Sequence, residues 1–168
     1  MKLIYTVLLL GLLNLNCKKD PKILFDFQYQ QNISLKAGLS YVETHYFEFN
    51  DIQTNYKNLL KSHGYASNQI NKISPGSCYF YVLDSGINLD FIQEISIMIS
   101  STNVFNKEVF YTIQVPYNAG DRLDLAGTLV DAIDVLGQDR FNMRVAFKLR
   151  ADCPATFDAR FNLKFLAL

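Results

Sequence analysis

The side chains able to do chemistry are few and widely spaced. The chain holds two histidines, His45 and His63, and three cysteines, Cys17, Cys78 and Cys153. A zinc site needs histidine or cysteine in short repeated spacings, and neither His-x-x-x-His nor Cys-x-x-Cys occurs. A hydrolase of the nucleophile-elbow type needs Gly-x-Ser-x-Gly, and a phosphate or dinucleotide binder needs a glycine-rich loop; both are missing. His63 precedes Gly64 and reads as a favourable charge at a helix end. Asp84, Asn88 and Asp90 around Gly86 present oxygen atoms at calcium-like spacing. That loop lacks the terminal glutamate and the tight Asp-x-Asp core of a calcium loop, and a turn explains it more simply. No catalytic residue, metal or cofactor is expected.

The charged residues suggest a surface instead of a reaction. Arg144, Lys148 and Arg150 share one side of an alternating segment, and Arg160 and Lys164 share one side of the next. Paired as neighbouring strands, the two segments would put five cations on one face, able to dock an anionic glycan, a lipid headgroup or an acidic partner. The plainer reading is a solvated face that discourages edge aggregation. Asp121, Asp124, Asp131, Asp134 and Asp139 gather elsewhere in the sequence. With 16 basic and 16 acidic residues the chain is not the strongly basic molecule that binds nucleic acid.

The elements that must position these residues are strands. The chain has 13 Phe, 10 Tyr and no Trp, a composition that favours sheet. Ile23, Phe25, Phe27 and Tyr29 alternate with polar residues, and the odd face continues through Ile33, Leu35 and Ala37. Leu39–Phe49 is a second strand. Asn50 or Asp51 could cap a helix carrying Ile52, Tyr56, Leu59 and Leu60, closed by Gly64. Strands resume at 70–74 and 77–83, parted by Pro75-Gly76. Tyr79 and Tyr81 oppose Cys78, Phe80 and Val82 in that alternation and are best read as core. Further strands fall at Ile95–Ile99 and at Val109, Tyr111, Ile113 and Val115, with a short one at Leu123 and Leu125. Leu129, Val130, Ile133 and Leu136 fit a helical face stopped by Gly137. Phe141, Met143, Val145, Phe147 and Leu149 form one clear face, and Phe157, Ala159, Phe161, Leu163 and Phe165 another. About eight strands with one apolar face each, plus two short helices, predict an all-β, antiparallel, immunoglobulin-like sandwich with Greek-key connections; a partly closed barrel is the alternative.

The N-terminus indicates where the domain works. Met1-Lys2 is a short positive start, Leu3–Leu13 is almost wholly apolar, and Cys17 follows ahead of Lys18-Lys19-Asp20. So short an apolar stretch reads as a secretory signal peptide. A cysteine at its end resembles the lipid-modified first residue of a bacterial lipoprotein. Asn14 and Asn16 stand where leucine and a small residue are usual, which is similar to the relaxed signals of spirochaetes and Bacteroidota. The body, with its insert at Asp51–Ser62 and its strands at 91–101 and 141–150, resembles small uncharacterised β-sandwich lipoproteins of diderm bacteria.

The resemblance implies three segments: a signal peptide at 1–16, a lipidated Cys17 with a tether to residue 22, and a β domain over 23–168. It also implies attachment to the outer membrane, facing either the periplasm or the outside. With Cys17 lipidated, Cys78 and Cys153 remain. They would be either a disulfide, permitted by export and worth up to ~4.5 kcal/mol on the chain-entropy model, or two buried free thiols. The expected function is non-catalytic binding of an envelope protein or external ligand. A periplasmic accessory of a membrane complex, and a hydrolase with an unmarked site, are the alternatives.

Overall fold

The computed structural model describes residues 22–84 and 86–168. Cys17 and the apolar segment before it lie outside these residues. Eight strands dominate: β1 (Phe25–Leu35), β2 (Thr44–Gln53), β3 (Ile73–Val82), β4 (Ile92–Ser101), β5 (Val104–Thr112), β6 (Arg122–Gly127), β7 (Arg140–Leu149) and β8 (Phe157–Ala167). Helix α1 (Tyr56–His63) follows β2, and the single turn α2 (Ile133–Leu136) precedes β7.

All strand pairings are antiparallel and run in the order β1-β8-β3-β6-β5-β4-β7-β2. β5 and β6 share only two residue pairs, Phe110 with Gly127 and Tyr111 with Ala126. The sheet bends at this narrow bridge, so β1-β8-β3-β6 packs face to face with β2-β7-β4-β5. The all-β, eight-stranded expectation holds, in its partly closed form: one curled sheet and not two separate ones. The strand order is also finer than sequence could resolve. An immunoglobulin sandwich pairs its first two strands. Here β1 pairs β8, β2 pairs β7, β3 pairs β6 and β4 pairs β5, the nested order of a jelly roll.

Aromatic rings join the two halves. Phe80 on β3 and Phe161 on β8 stack at 4.5 Å, and Phe147 on β7 meets Phe80 at 5.5 Å. Phe110 on β5 reaches Phe165 on β8 at 5.3 Å. Every inward position foreseen for β7 and β8 is buried.

Three local features depart from simple alternation. Asn50 and Asp51 do not cap a helix: they form a bulge in β2, with Asp51 at φ 59° and the register shifting between Phe49 and Ile52. Asp tolerates that left-handed conformation, so one polar pair suits either role. Pro75-Gly76 does not end a strand but makes a bulge within β3, between the pairs Pro75–Phe165 and Ser77–Lys164. In β5 a shift against β4 turns both Val109 and Phe110 inward. Tyr111 and Ile113, expected inward, consequently face out.

Helix α1 covers the seam between the terminal strands of the sheet. Tyr56 stacks on Phe27 at 6.1 Å and His63 on Phe25 at 5.2 Å, while the Tyr29 hydroxyl donates to the Thr54 carbonyl at 3.0 Å. Gly64, at φ 73°, closes the helix, and the Tyr65 amide returns to the Leu60 carbonyl at 2.9 Å. This covers part of an otherwise open sheet edge.

Candidate functional site

The five cations read from sequence do not share a face. β7 and β8 lie in opposite halves of the curled sheet, so their outer faces point away from each other. Arg144 is held by Glu48 at 2.6 Å and Lys148 by Glu94 at 3.1 Å, both on the outside of the β2-β7-β4 half. On the other half Arg160 donates to Asn32 Oδ1 at 2.7 Å, and Lys164 sits 3.4 Å from Asp26. Hydrogen bonding from Gln28, with the nearby Lys164 ammonium, holds the Asp26 carboxyl below the usual carboxylate range. Cross-strand acids and amides thus satisfy four of the five, as a solvated face requires. The acidic residues are divided too, with Asp121 and Asp139 at opposite ends of the domain.

Of the two states left open for the remaining cysteines, the structure shows the unbonded one. Cys78 and Cys153 are free and buried. Cys78 pairs with Leu163, six residues along β8 from its start at Phe157, and Cys153 lies before that start. Six residues of strand span about 20 Å. Bonded cysteines have Cα atoms under about 7 Å apart. Burial pushes both thiols upward, with Asp124 adding to the effect at Cys78, which disfavours the thiolate at both.

The remaining chemical candidates serve the scaffold. His45 Nε2 donates to the Ser40 carbonyl at 2.7 Å, tying the start of β2 to the preceding loop. Asp84 accepts the Asp158 amide at 3.1 Å, and Asn88 Oδ1 accepts the Asp90 and Gly120 amides at 3.2 and 3.1 Å. The calcium-like spacing is therefore loop stitching. Among the described residues, no group of three His, Cys, Asp or Glu side chains is placed to hold a metal ion.

Tyr79 and Tyr81 are half-buried on the outer face and not in the core, with Arg122 4.2 Å over the Tyr79 ring. Beside them lies a depression of about 160 Å³, lined among others by Gln28, Gln30, Ser77, Asn162 and Lys164. Asn162 Oδ1 is buried there without a partner. Such a surface offers hydrogen bonds to small polar groups or water.

A larger feature, which sequence reading missed, occupies the end of the domain opposite the start of β1. Three loops meet there, 36–43, 113–121 and 150–156. The Tyr41 amide donates to Asp152 Oδ1 at 3.2 Å, and the Cys153 amide donates to the Leu39 carbonyl at 3.0 Å. The Arg150 amide donates to the Phe91 carbonyl at 2.8 Å. Its guanidinium donates to the Val115 carbonyl and lies 4.4 Å over the Tyr117 ring. Around this frame Tyr41, Val42, Ile113 and Tyr117 are exposed, Val42 at 80% and Tyr117 at 83%. A depression of about 480 Å³ is lined by Gln93, Gln114, Val115, Pro116, Tyr117 and Arg150.

Aromatic rings and arginine on a fixed frame are the groups that dominate binding at protein interfaces. Sequence periodicity hides the cluster, because Tyr41-Val42 fits a strand and Ile113 an inward face. Of these residues the sequence marks only Arg150, as part of a cationic face. No protein-family model matches the chain, and no curated protein matches it.

Proposed function

We propose that the chain is an exported lipoprotein, held on the outer membrane through Cys17, whose non-catalytic β domain binds an envelope protein or an external ligand. The binding surface is the loop end bearing Tyr41, Val42, Ile113, Tyr117 and Arg150. One observation carries this choice: exposed apolar and aromatic side chains cluster on hydrogen-bonded loops at the end away from the tether. β1 runs 11 residues, about 35 Å, from the tether to that end. A tether at one end leaves the other free to meet a partner. The non-catalytic reading is supported by burial of the Cys78 and Cys153 thiols and by the scaffold contacts of the histidines, His45 on the Ser40 carbonyl and His63 on the Phe25 ring.

The test is site-specific photo-crosslinking in cells, with the crosslinking residue placed at Val42, at Tyr117 and, as a control, at Gln30. The same discrete adduct from positions 42 and 117, absent at 30 and lost with Arg150→Ala, is the expected result. Adducts from position 30 alone would move the binding surface to the outer sheet face.

A further inference from the structure

The tether end of the domain carries exposed apolar side chains of its own. Phe105 and Leu129 are 96% and 92% exposed, the most exposed large apolar residues in the described part. Both lie at the end where β1 begins. β5 starts there, because Val104 pairs with Ser101, the last residue of β4, and the Leu129 loop leaves the end of β6. The two segments run side by side: the Thr128 amide donates to the Val109 carbonyl at 3.0 Å, and the Lys107 ammonium donates to the Asp131 carbonyl at 2.8 Å. Their neighbours Val104 and Val130 pack against the core, which leaves Phe105 and Leu129 as projecting tips. The Lys72 ammonium donates to the Leu129 carbonyl at 3.2 Å, so a cation stands beside the apolar tip.

We infer that this end of the domain sits on a lipid bilayer, with Phe105 and Leu129 inserted at the headgroup boundary. The inference rests on the proposed anchor at Cys17. From Cys17 to Lys22 is five residues, at most ~18 Å when fully extended. The start of β1 is therefore held near the surface, and the bilayer is present at high effective concentration whenever the anchor is inserted. Apolar tips that are almost wholly hydrated gain by leaving water. Lys72 can lay its stem along the boundary while its ammonium stays among lipid headgroups, whereas the Lys107 ammonium is held by Asp134 at 2.6 Å. Two separate tips, one at the start of β5 and one on the loop after β6, frame no groove for a peptide, but they suit a soft planar surface. This contact would also fix the domain upright, with Tyr117 and Val42 pointing away from the membrane.

The chain contains no tryptophan, so a substituted one is a single fluorescent reporter. The full lipidated chain carrying Phe105→Trp is reconstituted into vesicles of phosphatidylethanolamine and phosphatidylglycerol, with Leu129→Trp and Tyr117→Trp prepared alongside. Blue-shifted emission, quenching by brominated lipid, and at least twofold protection from iodide are expected at 105 and 129 but not at 117. If all three reporters stay water-like while the protein floats with the vesicles, the inference is overturned and the anchor stands. If the protein does not float with vesicles, the anchor reading fails and the inference falls with it.

Discussion

At the scale of single residues, the cysteines are the most informative. Cys78 and Cys153 are buried free thiols, and burial suppresses their thiolates, while the proposed modification of Cys17 would consume its thiol as a thioether. These states can be counted. The native protein should react with no equivalents of a thiol reagent at pH 8, and the denatured, unreduced protein with two. Three equivalents on denaturation would mean that Cys17 carries no lipid, and none would mean that Cys78 and Cys153 are bonded after all. Identity alone marked these residues, but their pairing was not legible, because spacing along a chain does not give distance through a fold. The same holds for the cations. Their outward direction followed from alternation, whereas Glu48, Glu94, Asp26 and Asn32 became their partners only through sheet register.

At the scale of elements, β7 and β8 read correctly because period-two burial is imposed by backbone pleating, whichever strand lies alongside. The failures were bulges. A bulge adds one residue to one strand, and whether it occurs depends on the partner. Asn50-Asp51 looked like a helix cap, Pro75-Gly76 like a strand end, and Val109–Val115 like unbroken alternation. Gly76 has a packing reason to be glycine: a Cβ there would lie 3.0 Å from Leu166 Cγ and 3.1 Å from the Lys164 carbonyl oxygen. Gly76→Ala should therefore destabilise the domain by about 1–3 kcal/mol through overpacking, read as a lower denaturant midpoint. An unchanged midpoint would show that the β3–β8 bulge yields freely.

At the scale of the whole molecule, the nested strand order separates two ends. The start of β1, the Phe105 and Leu129 tips and helix α1 share one end; Tyr41, Val42, Tyr117 and Arg150 share the other. A protein built this way and held by Cys17 should lose its membrane without losing its fold. Cys17→Ala should move the chain to the soluble fraction while keeping the unfolding midpoint of the lipidated form in detergent. Retention in the membrane through the unprocessed apolar segment would remove Cys17 as the anchor.

The sequence by itself determined the class of the fold, the inward faces of its best strands and the absence of a marked catalytic motif. These depend on local periodicity and residue chemistry. It also carried the whole argument for export and lipidation, which rests on residues 1–17. Only the tertiary structure decided that β7 and β8 lie on opposite halves, that the two cysteines are too far apart to bond, and that loop side chains mistaken for strand and core gather at one end. Each of these depends on which strands pair. Antiparallel strands with similar apolar faces are interchangeable in sequence, and it is the packing of all eight around one core that selects their order.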